Sequence, residues 1–259
     1  TRTSRHLQTS LTRKLAVIFR HVGTGVAESV SSANAVTWIS KSTGATTSAL
    51  FQQLQSVAEE VAVDILYNIP LGYISGINDN LGAKGKLLEC IGVVGESTVS
   101  AAVSSGTSLS SSKLILQASR GATAGANLLT ALTTNGTEIA SKLGESLVAG
   151  LTSGMSEEDL RSVGLGIAST LQSSSTGGQA HSLVAAAAKG SAVSLLAKTG
   201  PAQSRIEPLV FGFVKGAAGT KPNSTVLAST MFKTATAVVS SVAFAVTSPT
   251  GAPHSIASR

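Results

Sequence analysis

The sequence is poor in charged residues, in aromatic residues and in cysteine. Only 12% of its 259 residues are charged, 3% are aromatic, and Cys90 is the single cysteine. An ordinary globular chain has about a quarter charged residues, so this chain is depleted by about half. One cysteine excludes a scaffold that is held together by internal disulfides. With few aromatic residues, and no dense basic stripe beyond residues 1–20, we expect no specific nucleic-acid partner.

Apolar residues are nevertheless abundant, at 42% of the chain, and the mean hydropathy is +0.30. This composition excludes a disordered chain, because disorder requires few apolar residues or a high net charge. The 26 glycines do not recur at every third position, which excludes a collagen helix. The length suits one large domain or two small ones with a sizeable core.

The net charge of +6 is unevenly distributed along the chain. Residues 1–27 contain five basic residues and no acid, residues 28–207 contain ten basic residues and all thirteen acids, and residues 208–259 contain four basic residues. Basic ends and a mildly acidic middle can attract each other between copies or bind an anionic surface.

Residues 1–20 are rich in Arg, Ser and Thr, which is the composition of an organellar transit peptide. We interpret them as a basic arm or first helix of the mature protein, in which Arg13, Lys14 and Arg20 are candidate contacts to an anionic surface. The chain begins with Thr, so we expect residues upstream of it. Residues 226–246 are interrupted by Lys233 and are rich in Ser and Thr, so we expect no membrane span there.

Apolar residues recur every three or four positions, which predicts an all-α fold of eight or nine amphipathic helices. The stripes run through residues 11–30, 50–65, 87–98, 115–132, 143–151, 160–171 and 183–195. Their interfaces are rich in Ala, Gly and Ser, which lets helices approach closely in a bundle or stacked array. We assign residues 1–20 to the arm, 21–200 to the main helical domain and 201–259 to a C-terminal helical segment and tail packed on it.

Local signals predict several helix ends. Ser156, followed by three acids, is typical of a helix start, and Lys198 before Gly200 and Pro201 is typical of a helix end. Pro70 is expected to end the second stripe. Ser204 and Glu207 form a candidate capping box before another helix, although Pro208 makes that start irregular.

Ser-, Gly- and Thr-rich segments predict breaks at residues 40–47, 104–112, 173–178 and 216–223. Residues 224–246 could form a helix or, from their Thr and Val content, a strand.

A weak internal repeat is visible in the sequence. Residues 95–97 and 144–146 both read Gly-Glu-Ser, and residues 146–149 and 182–185 both read Ser-Leu-Val-Ala. Chance produces such matches in a biased composition. A true duplication would predict stacked helical units.

Groups that support catalysis are sparse. The four histidines lack a metal-binding partner at helical spacing, and Glu60 with Asp64 is better explained as a solvated helix face than as a carboxylate pair. Gly164 and Gly166 follow no strand, so we interpret them as glycines that face a neighbouring helix. We therefore expect no catalytic residues, no cofactor and no metal.

Three other residues are candidates for modification. Cys90 lies on an apolar stripe, which favours a buried thiol, and the alternative is an intermolecular disulfide with a second copy. Asn135 and Asn223 lie in glycosylation sequons within predicted loops. These sequons favour secretion, and the basic N-terminus favours the alternative of an organellar protein.

Low charge and small-residue helix faces suit dense packing between copies. We therefore expect a non-enzymatic structural or assembly protein that forms a homo-oligomer or filament. The alternative is a helical protein that binds a lipid surface or an apolar ligand through the basic amphipathic segment that contains Arg13 and Arg20.

Overall fold

A computed structural model describes residues 2–29, 34–53, 59–77, 84–104, 109–129, 132–152, 154–174, 178–199, 203–219, 235–240 and 242–243. The named helices are α1 (Arg2–Ser29), α2 (Ala35–Gln53), α3 (Glu59–Ser75), α4 (Lys84–Ser104), α5 (Ser111–Asn127), α6 (Leu132–Ala149), α7 (Glu157–Ser174), α8 (Gly178–Thr199) and α9 (Gln203–Ala218). Residues 235–240 and 242–243 are also helical, and none of the described residues forms a strand. The predicted all-α fold is confirmed.

The helices pack in two layers, because each helix lies mainly against the helix two places further along the chain. Helices α1, α3, α5, α7 and α9 form the odd layer, and α2, α4, α6 and α8 form the even layer. Several hydrogen bonds between neighbours in a layer join residues 47 or 48 positions apart. The molecule is therefore a stack of helical hairpins, in which each hairpin packs on the next.

Helices of the odd layer run parallel to one another. At the start of α5, Ser111 bonds to Asp159 at the start of α7, and Asn127 near the end of α5 bonds to Ser174 at the end of α7. Because neighbouring helices in a layer are parallel, each pair of neighbours can pack through the same positions along its helices.

The buried core is continuous from Ala16 to Val242 and consists mostly of Ala, Val, Ile and Leu. Buried threonines fit this core because their hydroxyls donate to carbonyls one turn back in the same helix. Thr47 donates to the Thr43 carbonyl at 2.9 Å, and Thr123 donates to the Ser119 carbonyl at 2.7 Å. Short side chains keep each helix thin, so the layers are held by many close contacts.

Two predicted helix ends are confirmed. The amide of Ser156 donates to the Asp159 carboxylate at 2.9 Å, while the Asp159 amide donates to the Ser156 hydroxyl at 3.1 Å. This reciprocal pair is a capping box that starts α7. Helix α8 ends at Thr199, directly after Lys198. Helix α9 ends at Ala218 and is followed by Gly219, whose φ of 68° suits a residue without a Cβ.

The break predicted at residues 40–47 is wrong, because α2 runs through it from Ala35 to Gln53. Thr43 and Thr47 are fully buried, and Ser40 shares a 3.0 Å hydrogen bond with Ser97 of α4. Packing and back-bonded hydroxyls therefore outweigh the weak helix propensity of this segment. The other three predicted breaks coincide with helix ends, at Ser104, Ser174 and Ala218.

The helix predicted through residues 50–65 is also wrong, since Leu50 belongs to α2 whereas Ile65 belongs to α3. Pro70 does not end that helix but lies inside α3. A proline in a helix interior costs about 3 kcal/mol. Close packing of the following turn against α1 and α5 opposes this cost.

Pro208 likewise lies inside α9, which begins at Gln203. Ser204 is therefore already within the helix and cannot serve as its N-cap. The capping box predicted from Ser204 and Glu207 is wrong. The strand or helix predicted over residues 224–246 is helical where it is described, and the rest lies outside the described residues.

The apolar stripe predicted for the first helix is only partly its buried face. Leu15 and Val26 are half-buried against the core, but Ile18 and Val22 are 55% and 45% exposed. The fully buried positions are occupied by small residues, Ala16, Gly23 and Ala27, because α3 packs closely against them. Helix α1 runs from Arg2 to Ser29 without a break at residue 20.

The weak sequence repeat has a structural counterpart at one of its two sites. A Cβ on Gly95 would lie 2.5 Å from the Ser146 hydroxyl, and one on Gly144 would lie 2.6 Å from the Ser191 hydroxyl. Gly95 and Gly144 thus both lie against a serine of the next helix in the even layer, although Gly144 lies closer still to the Ala187 backbone carbonyl, which has no counterpart among the three nearest contacts of Gly95. The match between residues 146–149 and 182–185 does not follow this register.

Candidate functional site

Glycines on the odd helices lie in close contact with backbone carbonyl oxygens of the preceding odd helix. A Cβ on Gly72 would collide with the Arg20 carbonyl, and one on Gly121 would collide with the Tyr67 carbonyl. One on Gly166 would lie 2.9 Å from the Leu116 carbonyl oxygen, and one on Gly212 would collide with the Arg161 carbonyl. Each neighbouring pair in the odd layer therefore uses the same glycine-to-carbonyl contact. We call Gly72, Gly121, Gly166 and Gly212 the receiving glycines.

A second contact one turn later reinforces this pattern at three levels. A Cβ on Gly76 would lie 2.6 Å from the Thr24 carbonyl oxygen, one on Gly125 would lie 3.0 Å from the Leu71 carbonyl oxygen, and one on Gly216 would lie 2.8 Å from the Leu165 carbonyl oxygen. The interpretation of Gly164 and Gly166 as glycines that face a neighbouring helix is confirmed, since Gly164 lies against Leu209 and Phe213 of α9. The sequence signal for these contacts is the pair of glycines four residues apart in α3, α5 and α9.

Exposed large apolar side chains are concentrated at the two ends of the stack. At the first end they lie on α1 and α2, and at the other end on α8, α9 and the helical segment 235–240. They are Val17, Ile18, Val22 and Trp38 at the first end and Val193, Phe211 and Val239 at the other. Leu128, which is 58% exposed, is the one such residue on the middle hairpins among the described residues.

Basic residues accompany the exposed stripe of α1. Lys14 is exposed one turn before Val17 and Ile18, and Arg20 is exposed one turn after Val17, whereas the side chain of Arg13 lies outside the described residues. We define the outward face of α1 as Lys14, Val17, Ile18, His21, Val22 and Gly25, all of which are exposed. This face is apolar at its centre and positively charged at its margin.

An open cleft of about 500 Å³ lies across α3, α5 and α7. It is lined by Asp64, Tyr67, Gln117, Arg120, Ser169, Thr170 and Ser173. The hydroxyls of Thr170 and Ser173 donate to carbonyls of their own helix, at 2.9 Å each. The cleft offers polar contacts and one charge of each sign, but no nucleophile paired with a base.

Cys90 is fully buried on α4 and is a free thiol. Burial, with a smaller contribution from Glu89 and against the effect of Lys86, raises the pKa of Cys90 to about 11. A buried neutral thiol is a weak nucleophile. The disulfide with a second copy stays a prediction, and it would require α4 to open locally.

The two sequons differ in their place in the structure. Asn135 is partly buried at a kink within α6, where its φ of −125° departs from helical geometry. Its sequon partner Thr137 is exposed. Asn223 lies outside the described residues. Glycosylation and secretion stay predictions.

Among the residues described, no group of three His, Cys, Asp or Glu side chains is placed to hold a metal ion. Two described helical stretches, Lys86–Ser104 and Gln179–Thr199, are long and apolar enough to cross a membrane. About half of each is buried inside the protein, and core helices pass the same test, so they are weak evidence for a membrane span. Comparisons with protein-family models, curated proteins and solved structures find no match to this chain.

Proposed function

We propose that this chain is a non-enzymatic building block that self-associates through the end faces of its helical stack. The observation that carries the proposal is the location of the exposed large apolar side chains, seven of which lie on the first two or the last helices and one in the middle. Exposed apolar patches mark interaction surfaces when they are concentrated rather than scattered.

The architecture supports association at the ends. A stacked-hairpin protein uses the same kind of contact between successive units, and its terminal units normally carry a polar outer face. Here the outward face of α1 presents Val17, Ile18 and Val22 to solvent instead. Fully burying one such side chain from full exposure contributes about 1.5–3 kcal/mol, and these three are about half exposed, so their burial opposes the entropy cost of association by about half that amount each.

Charge is consistent with contact between copies. The N-terminal segment is purely basic, whereas all thirteen acids lie between residues 28 and 207. Attraction of this kind mainly raises the rate of encounter and falls with salt. The affinity therefore depends chiefly on the apolar residues.

A second candidate function is binding of the α1 outward face to an anionic lipid surface. It is favoured by the exposed Lys14 and Arg20 beside Val17 and Ile18, the pattern of an interfacial helix. In this alternative the apolar stripe inserts among lipid headgroups rather than against another copy.

Sedimentation velocity of the full chain over a wide concentration range tests the proposal. We expect concentration-dependent oligomers of the natural sequence, at least tenfold weaker association when Ile18→Lys and Val22→Lys are combined, and no change for Leu128→Lys. Leu128 is the matched control, because it is equally exposed but lies on a middle hairpin.

A monomer at every concentration and salt level would refute self-association. In that case, flotation with phosphatidylserine vesicles that requires Ile18 and Val22 would support the lipid function.

A further inference from the structure

The glycine contacts of the odd layer follow a fixed register within each helix. In α3, α5 and α7 the residue whose carbonyl contacts the next odd helix lies five positions before the receiving glycine. The three pairs are Tyr67 and Gly72, Leu116 and Gly121, and Arg161 and Gly166. Each of these helices therefore contacts the following odd helix through a backbone carbonyl, and contacts the preceding odd helix through a receiving glycine.

The same spacing of five residues places Gly25 of α1 in the position of a receiving glycine. Arg20 of α1 offers its carbonyl to Gly72, and the residue five positions later is Gly25. Gly25 is exposed, and a Cβ added to it would meet nothing within 4 Å. By contrast, a Cβ on Gly23 would lie 2.8 Å from the backbone nitrogen of Tyr73. Gly25 is thus in the position of a receiving glycine, and no carbonyl of the described residues lies against it.

The last odd helix carries the other half of this contact. Gly212 of α9 receives the Arg161 carbonyl, and the residue five positions earlier is Glu207, whose side chain is exposed. No further odd helix follows α9 among the residues that the structure describes. Glu207 is thus the residue of α9 whose backbone carbonyl would contact a glycine of a next helix.

We infer that Gly25 of one copy receives the Glu207 carbonyl of a second copy, so that α1 of one molecule continues the odd layer of another. This inference rests on the proposed self-association and specifies its contact. The occupant is a second copy because both halves of the repeated interface are present on one chain, one at each end.

The neighbouring side chains fit this register. In the pair formed by α7 and α9, a Cβ on Gly164 would lie 2.7 Å from the Leu209 carbonyl oxygen and 2.7 Å from the Phe213 amide nitrogen, on the turns that flank Gly212. By the same offset, the half-buried Val210 of α9 takes the place of Gly164 and lies next to Val22 and Val26 of the second copy. Because valine is larger than glycine, the two helices are further apart at this turn than α7 and α9 are, and the contact there is between apolar side chains.

The charges of the two faces are complementary. On α9 the exposed Glu207 comes before the exposed Lys215, whereas on α1 the exposed His21 comes before the exposed Glu28. The odd helices run parallel, so the exposed Lys215 of one copy and the exposed Glu28 of the other lie toward the same end, and these two residues carry opposite charges. His21, which lies toward the same end as Glu207, is counted as neutral in the net charge of +6. The contact is head-to-tail and uses different surfaces on each copy, so it leaves both outer ends free and extends into a filament.

Sedimentation of Gly25→Leu tests the contact. A Cβ at this exposed position meets nothing within 4 Å among the described residues, so we expect an unchanged circular dichroism spectrum and at least a tenfold loss of self-association. Gly154→Leu is the matched control, because a Cβ there also meets nothing within 4 Å and the site lies between α6 and α7. It is expected to associate as the natural sequence does.

The outcomes separate this inference from the proposed function. If Gly25→Leu associates normally while the combined Ile18→Lys and Val22→Lys variant does not, the glycine contact is refuted and end-face association stands. If the natural sequence is monomeric throughout, self-association itself is refuted.

Cross-linking tests the partner of α1 directly. The His21→Cys and Glu207→Cys variants would be treated with a short bis-maleimide, separately and mixed, and Cys90 is fully buried and contributes little background. We expect dimers in the mixture and not in either variant alone. Cross-linking of His21→Cys with itself would indicate a head-to-head contact and refute the inference, as would the absence of product in the mixture.

Discussion

The hydroxyl of Ser111 donates a hydrogen bond of 2.7 Å to the carboxylate of Asp159. This bond joins the start of α5 to the start of α7. The same carboxylate accepts the Ser156 amide at 2.9 Å, so one nearly buried acid both caps α7 and links two helices of the odd layer.

Asp159→Ala should therefore lower the free energy of unfolding by about 2–4 kcal/mol, since it removes a helix cap and leaves the Ser111 hydroxyl without its acceptor. Asp159→Asn should cost less, because an amide oxygen can still accept one of these bonds. Urea unfolding followed by circular dichroism measures both. Glu158→Ala, in the same turn but exposed, is the control, and an equal loss in that variant would contradict the assigned role.

Gly72→Ala and Gly25→Ala should change stability in opposite directions. Alanine favours a helix over glycine by about 1 kcal/mol, and at Gly25 the new methyl group meets nothing. At Gly72 it collides with the Arg20 carbonyl, and overpacking of this kind costs about 1–3 kcal/mol. Thermal unfolding at low protein concentration should show a higher Tm for Gly25→Ala and a lower one for Gly72→Ala. A rise in both variants would mean that α1 and α3 are not in close contact.

Titration of Cys90 should make the protein less stable at alkaline pH. The folded-state pKa of about 11 is above the ordinary value of 9.0, so the folded state holds the proton more tightly than the unfolded state does. This contribution is complete below pH 9 and is lost as the pH rises toward 11, by at most about 2 kcal/mol. Cys90→Ala should lose that part of the pH dependence, as measured by urea unfolding between pH 8 and pH 11. An identical slope in both proteins would show that the thiol is not buried in the folded state.

Lys198→Met should weaken the end of α6. The Lys198 ammonium group donates to the Ala149 carbonyl and, at 2.6 Å, to the Leu151 carbonyl, so it binds the carbonyls that end this helix. Loss of these partly exposed contacts should cost about 1 kcal/mol. Lys41→Met, at an exposed position of α2, is the control for loss of positive charge. A comparable decrease in both variants in urea unfolding would argue against a capping role.

Much of the fold could be predicted from the sequence because helix formation leaves local signals. The stripe of Leu87, Ile91 and Val94 is buried as its spacing predicts, and Ser156 begins α7. The errors arose where distant contacts outweigh local propensity. Pro70 remains inside α3, and the Ser- and Thr-rich residues 40–47 are helical, because neighbouring helices pack on both segments.

The candidate site was less predictable. Spacing placed Ile18 and Val22 on one face of the first helix, but spacing alone does not say which face meets a neighbour. The recurrence of receiving glycines was present in the sequence, yet their common role depends on which carbonyl faces each of them, and those carbonyls belong to another helix.

The sequence by itself determined that the chain forms helices with small-residue faces, since periodicity and capping act over a few residues. Only the tertiary structure decided that Gly23 is enclosed by α3 while Gly25, two residues later, is open. Both faces of α1 carry residues suited to close packing. The face that is buried is chosen by contacts with α3, some fifty residues further along the chain.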